Sequence, residues 1–239
     1  MADTGSAGEA RRTTRLGAAL FNGDHSRLAE EIVRLEDAGL DFVHLDVFDG
    51  YFVSDVGFAP RTIASLRPLS RLPFEVHLGV NDPHRFVPQL VDAGVDLILI
   101  HVESMRMAHE TLTWVRRHEV RVGITISLGT PLSEAEAVLP DLDALLLLSR
   151  VAGEGAHGAS FDRRVLPRLQ KVAQMAKEVA DDIDIQVAGG VNRSNAGVLA
   201  EGGADSLALG AGIYKAADMA AEIKELRRML ETAAGGSNG

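Results

Sequence analysis

Two histidines and an aspartate are the residues of this chain best placed to do chemistry. In "FVHLDVFDGYFV", residues 42–53, His44 and Asp46 stand two positions apart inside an apolar run. Read as a β-strand, Phe42, His44 and Asp46 share one face, and Val43, Leu45 and Val47 share the other. An imidazole and a carboxylate are costly to bury without a metal ion, a proton or a hydrogen-bond partner. A second run of the same kind, "FEVHLGV", brings His77. Two imidazoles and a carboxylate on adjacent strands suit a divalent ion and leave coordination positions for water or substrate. A single buried histidine is more often a hydrogen-bonded core residue, but three such groups at matching strand ends point to a ligand set. His101 and Glu103, in "IHVES", end another strand on one face and read as a hydrogen-bonded pair supporting the same region.

The elements that must position these groups alternate regularly. Candidate strands are "RLGAALF", "DFVHLDV", "PFEVHLGV", "VDLILIHV", "VRVGITIS", "DALLLLS", "IDIQVA" and "DSLALG". Between them run amphipathic patterns such as "SRLAEEIVRLEDAG", "HRFVPQLVDAG", "AHETLTWVRRHE" and "RRVLPRLQKVAQMAKEVA". In "EDAGLD", "VDAGVD" and "AEGGAD" a glycine follows the helix and an aspartate precedes the next strand. The glycine suits a left-handed helix cap. Strand-then-helix alternation predicts a parallel sheet with right-handed crossovers. Eight such units match a (β/α)8 TIM barrel, whose chemistry sits at the C-terminal ends of the strands. A doubly wound open sheet would need fewer strands or a second domain, and no linker-like stretch divides the chain. The expected layout is a barrel over residues 15–231, with flexible tails at 1–14 and 232–239.

In that geometry the glycine runs gain meaning. "RVAGEGAHGASF" follows the sixth strand, "AGGVN" the seventh and "LGAGIY" the eighth. Loops after the late strands of a barrel commonly receive phosphate on backbone N–H groups. Glycine allows both close approach and positive φ.

Bulk composition excludes several classes. With no cysteine there is no disulfide, thiolate nucleophile or cysteine-ligated zinc, which fits a cytoplasmic protein. A formal charge of −10 argues against broad nucleic-acid binding. No stretch reaches membrane-span length, and "MADTGSAGEARRTT" lacks the apolar core of a secretory signal.

From about residue 16 to residue 230 the chain resembles the ribulose-phosphate 3-epimerase family. "HLDVFDGYFV" is similar to that family's H-V-D-V-M-D-G-x-F-V, and "FEVHLGVNDPHRFV" to its D-V-H-L-M-x-x-x-P-x-x-x-I. "AGVDLILIHVES", "GTPL" and the late glycine loops match as well. The resemblance implies a metal-dependent barrel acting on a phosphorylated ketose, expected to be a homo-oligomer. In the family two aspartates flank an enediolate, and two histidines and both aspartates hold the metal. Asp46 matches the first aspartate and acid/base, and His44 and His77 match the histidine ligands. Zinc is the favoured ion, with manganese or iron as alternatives. Gly158, Gly189, Gly190, Gly210 and Ala211 are the expected phosphate contacts.

The chain also departs from the pattern. The second aspartate's V-D-G-G reads "VAGG", so Ala188 stands where a ligand and proton donor belong. Ala19 replaces a serine on the first strand, and Phe48, Gly79 and Leu148 replace pocket methionines. The loop after the sixth strand is longer by about two residues and offers His157 and Glu154 as substitute acids, of which His157 is the catalytic candidate. Three readings stay open: an epimerase-like enzyme with altered substrate or chemistry, a one-base sugar-phosphate isomerase or aldolase, and a non-catalytic phosphosugar binder. The D-x-K-x-x-D motif of decarboxylase and aldolase relatives has no lysine counterpart in "DVFD".

Overall fold

The computed structural model describes residues 13–151, 161–179 and 182–235. Eight strands, β1 (Arg15–Ala19), β2 (Phe42–Phe48), β3 (Phe74–Gly79), β4 (Leu97–His101), β5 (Arg121–Ile126), β6 (Ala144–Leu148), β7 (Asp184–Ala188) and β8 (Ser206–Leu209), pair in chain order. Every pairing is parallel, and β8 returns to β1 to close the barrel. The helices around it are α1 (Leu28–Asp37), α2 (Pro60–Leu66), α3 (Pro83–Asp92), α4 (Ala108–Arg116), α5 (Ser133–Glu136), α6 (Val165–Val179), α7 (Arg193–Glu201), α8 (Ala211–Tyr214) and α9 (Met219–Gly235). This is the expected (β/α)8 barrel, and each of the eight strand patterns became a strand. Among the described residues no helix is long and apolar enough to cross a membrane.

The glycine–aspartate signature has a physical explanation on both sides. Gly39, Gly94 and Gly203 all adopt positive φ, at 78°, 76° and 103°, where a side chain would strain the turn out of the helix. The aspartates then tie strands together in pairs. Asp41 accepts the N–H of Leu16 at 2.7 Å, and Asp96 accepts that of Phe74 at 2.7 Å. Asp143 takes Val122 at 2.8 Å, and Asp205 takes Ile185 at 3.0 Å. Each carboxylate precedes an even strand and caps the odd strand before it, satisfying a donor that the sheet leaves open at its edge.

Two apolar layers follow from the strand period. Outward residues such as Val43, Leu45 and Val47 pack beneath the helices, while Phe42, Leu97, Leu99, Leu146 and Leu148 fill the interior. The N-terminal end of the interior is polar. Arg15 reaches Glu75 at 2.7 Å and Asp184 at 2.9 Å. Gln186 donates to both carboxylates at 2.7 and 2.8 Å, and Ser206 donates to Asp184 at 2.7 Å. The Arg15 guanidinium lies 4.8 Å above the Phe42 ring, so the network seals the barrel floor against its apolar interior.

Arg15→Met should therefore destabilise the fold by about 3 kcal/mol or more, because it strands two carboxylates beside each other. Ser206→Ala removes one hydrogen bond and should cost about 1 kcal/mol. Urea unfolding of the two variants against the parent checks both values; equal midpoints for Arg15→Met and the parent would remove the network from the list of stabilising features.

Candidate active site

The opposite end of the barrel gathers the candidate chemistry. Strand β2 sends Phe42, His44 and Asp46 inward, and its register with β3 places Asp46 directly beside His77. Oδ1 of Asp46 lies 2.9 Å from Nδ1 of His77 and 3.5 Å from Nε2 of His44. His44 is 2% exposed, and its Nδ1 has no hydrogen-bond partner among the described residues. Burial alone would raise the Asp46 carboxyl, but the imidazoles of His44 and His77 outweigh it and hold the group well below the usual carboxylate range. Burial pushes His77 down to about 4, against the pull of the neighbouring Asp46 carboxylate. An ionised carboxylate and a neutral imidazole are the states that bind metal.

His44, Asp46 and His77 each offer one ligand atom, and those atoms lie within 4.8 Å of one another. The donor set of two nitrogens and one oxygen fits a divalent ion and would leave coordination positions for water or substrate.

Two more groups continue the line. Nε2 of His77 is 2.8 Å from Nε2 of His101, and Nδ1 of His101 is 2.9 Å from Glu103. His101 is fully buried. Burial acts to raise Glu103, yet the hydrogen bonds from His101 and Thr130 prevail and bring it to about 2. The expected His101–Glu103 pair is thus present, but its contact with His77 was not foreseen. Strand alternation gave the face of each histidine, not how closely β3 and β4 bring the two rings together.

A cavity of about 290 Å³ opens beside this cluster. Gly189, Gly190, Gly210 and Ala211 line it, and Gly189 and Gly190 adopt φ of 97° and 67°. Asn192 caps α7 below them: its side-chain oxygen accepts from the Ser194 N–H at 2.8 Å, and its amide donates to the Gly190 carbonyl at 2.9 Å. Ser149 also donates to the Ala188 and Gly189 carbonyls, joining the ends of β6 and β7. Gly158, His157 and Glu154 lie outside the described residues. Asn22, Arg150 and Lys215 line the cavity without having been singled out. Asn22 and Arg150 lie within three residues of a strand's end, and Lys215 follows the short helix beyond β8; mouth loops are the signal that could have found them.

The departures from the family pattern meet in this cavity. Ala19, Phe48, Leu148 and Ala188 line it, whereas the place of a side chain at Gly79 is filled. A Cβ on Gly79 would lie 2.8 Å from the Phe48 ring, which also stands edge-on to His77 with centroids 5.2 Å apart. Phe48 and Gly79 are register partners, so a large and a small residue share one volume.

Fold and site together define a (β/α)8 barrel with a candidate metal centre and an adjoining glycine-lined cavity at its C-terminal mouth. The sequence profile of the ribulose-phosphate 3 epimerase family matches residues 15–214, and the chain belongs to that family. It is 34% identical to the ribulose-phosphate 3-epimerase of Bacillus subtilis over 214 residues, covering 89% of this chain and 98% of the relative. To the enzyme of the same name from Escherichia coli K12 it is 33% identical over 216 residues, covering 90% and 95%. Among solved structures, 3-hexulose-6-phosphate synthase from Salmonella typhimurium superposes with a TM-score of 0.68 at 18% identity, covering 92% of this chain and all of that one, a likeness of fold.

Gly79→Ala should cost about 1–3 kcal/mol by overpacking the Phe48 ring. In a Phe48→Leu background the same change should cost less, with a coupling above about 0.5 kcal/mol in a double-mutant cycle. Denaturant unfolding of the four proteins measures it, and strict additivity would contradict the shared volume.

Proposed function

We propose that this protein is an epimerase-like enzyme acting on a phosphorylated ketose, with Asp46 as the base. The observation that carries this reading is Asp46 itself: a largely buried carboxylate beside two imidazoles, lining a cavity that Gly189, Gly190 and Gly210 also line. His44, Asp46 and His77 are proposed as the ligands of a divalent ion, zinc first among the candidates, with manganese or iron as alternatives. Such an ion, when bound, supplies positive charge against the oxygens of an enediolate.

Asp46 takes the proton from the carbon next to the substrate carbonyl, and the electron pair of that C–H bond delocalises onto the carbonyl oxygen. Its low proton affinity in the free protein keeps it available as an ionised base at neutral pH. The phosphate is held by the backbone at Gly189, Gly190, Gly210 and Ala211, together with Gly158, and Arg150 and Lys215 add positive charge to the same cavity. Inversion also requires a proton delivered to the opposite face. Ala188 offers none, so that proton comes from water, His157 or Glu154. The single carboxylate also allows a second reading, one-base aldose–ketose isomerisation, in which Asp46 would return the proton on the face from which it came. A non-catalytic binder would not require a base and two imidazoles buried together, a costly arrangement.

The test is solvent-deuterium exchange at the substrate carbon across a panel of ketose phosphates, with product stereochemistry read by NMR. Exchange with inversion supports the epimerase, exchange with aldose formation the isomerase, and tight binding without exchange the binder. Asp46→Asn should lower exchange by about 10²–10⁴-fold while the protein stays folded. Ala188→Asp should tighten metal binding by adding a carboxylate to the set. His157→Gln tests the loop histidine: lost inversion assigns the second proton to His157, and unchanged inversion assigns it to water or Glu154.

A further inference from the structure

We infer that His101 and Glu103 are positioning residues that fix the tautomer of His77 so that its Nδ1 is held bare toward Asp46 as a metal ligand. The inference rests on the metal reading of His44, Asp46 and His77, and goes beyond it to residues that touch neither ion nor substrate.

The assignment starts from the Glu103 end, and a cation at the Asp46 end selects it over the mirror arrangement, in which His77 donates to Asp46 and His101 to His77. One Glu103 oxygen accepts from the Ser127 N–H at 2.9 Å and from the Thr130 hydroxyl at 2.6 Å. The other faces Nδ1 of His101 at 2.9 Å. A carboxylate bonded in this way only accepts, so the proton of His101 sits on Nδ1. A neutral His101 then presents a bare Nε2, and 2.8 Å away stands Nε2 of His77, which must donate. With its proton on Nε2, a neutral His77 has a lone pair on Nδ1, and this nitrogen lies 2.9 Å from Oδ1 of Asp46, another acceptor. Three close contacts thus join two carboxylates through two imidazoles, and two neutral imidazoles bring only two protons. The contact without one is Asp46–His77, inside the cluster whose ligand atoms lie within 4.8 Å of each other. A cation held there makes this contact, rather than His101–Glu103, the one without a proton.

Glu103 is itself firmly placed. Its partners Ser127 and Thr130 are held from below by Arg168 of α6, which donates to the Ser127 carbonyl at 3.2 Å and to the Thr130 carbonyl at 2.6 Å. A histidine ligand whose other nitrogen donates to a fixed acceptor binds metal more tightly, because the ring is oriented before the ion arrives.

The experiment uses the full chain, stripped of metal and titrated with zinc against a chromophoric chelator, then loaded with cobalt(II) for its visible spectrum. Glu103→Gln and His101→Gln should each weaken zinc binding by about 10–100-fold and alter the cobalt bands. Melting temperature and inorganic-phosphate binding should stay near those of the parent. His101→Gln, which keeps an acceptor for His77, should bind better than His101→Phe, which keeps none. Parent-like affinity and spectrum in both glutamine variants would overturn the inference, as would losses that only track a lower melting temperature. If the parent chain itself takes up neither zinc nor cobalt, the metal reading of the site falls, a result distinct from parent binding with indifferent variants.

Discussion

Asp46 and His77 face each other across the β2–β3 ladder with carboxylate oxygen and imidazole nitrogen 2.9 Å apart. Neither group could sit inside a barrel alone, since the cost of burying an unpaired charge exceeds what neighbouring apolar contacts return. Their meeting depends on register. A slip of one residue along β2 would turn Asp46 and His44 outward beneath the helices and bring Leu45 and Val47 into the mouth. The aspartates that cap the odd strands, such as Asp41 on Leu16 and Asp96 on Phe74, help pin that register from the opposite end.

The barrel interior is thus polar at both ends and apolar between. At the floor, Arg15, Glu75, Asp184, Gln186 and Ser206 bond to one another, with the Gln186 side-chain oxygen left without a partner among the described residues. At the mouth, the polar line from Asp46 through His77 and His101 to Glu103 ends beside a cavity. The floor network bonds within itself, while the mouth line adjoins a cavity lined by His44, Asp46 and His77. That difference, more than residue type, distinguishes the two ends, since both use carboxylates and hydrogen-bonding side chains.

Around the mouth, residue size has been redistributed. Phe48 occupies the volume that a side chain at Gly79 would claim, and Ala19, Ala188 and Ala208 leave room along the opposite wall. The His44–Asp46–His77 group stands amid these changes, and Arg150 and Lys215 add cationic character to the cavity. Relative to the family pattern, the carboxylate half of the centre on β7 is missing while the β2–β3 half is kept.

Much of this was legible in the sequence. The period of two in "FVHLDVF" put His44 and Asp46 on one face, and eight strand–helix units with repeated glycine–aspartate ends specified the parallel barrel. Both are local properties, set by backbone stereochemistry within a few residues. Tertiary structure decided which side chains meet across strands. The His77–His101 contact, the five-residue floor and the exchange of volume between Phe48 and Gly79 each join residues that are far apart in the chain. Their distances depend on sheet closure, shear and the packing of whole side chains, none of which a run of residues in one strand encodes by itself.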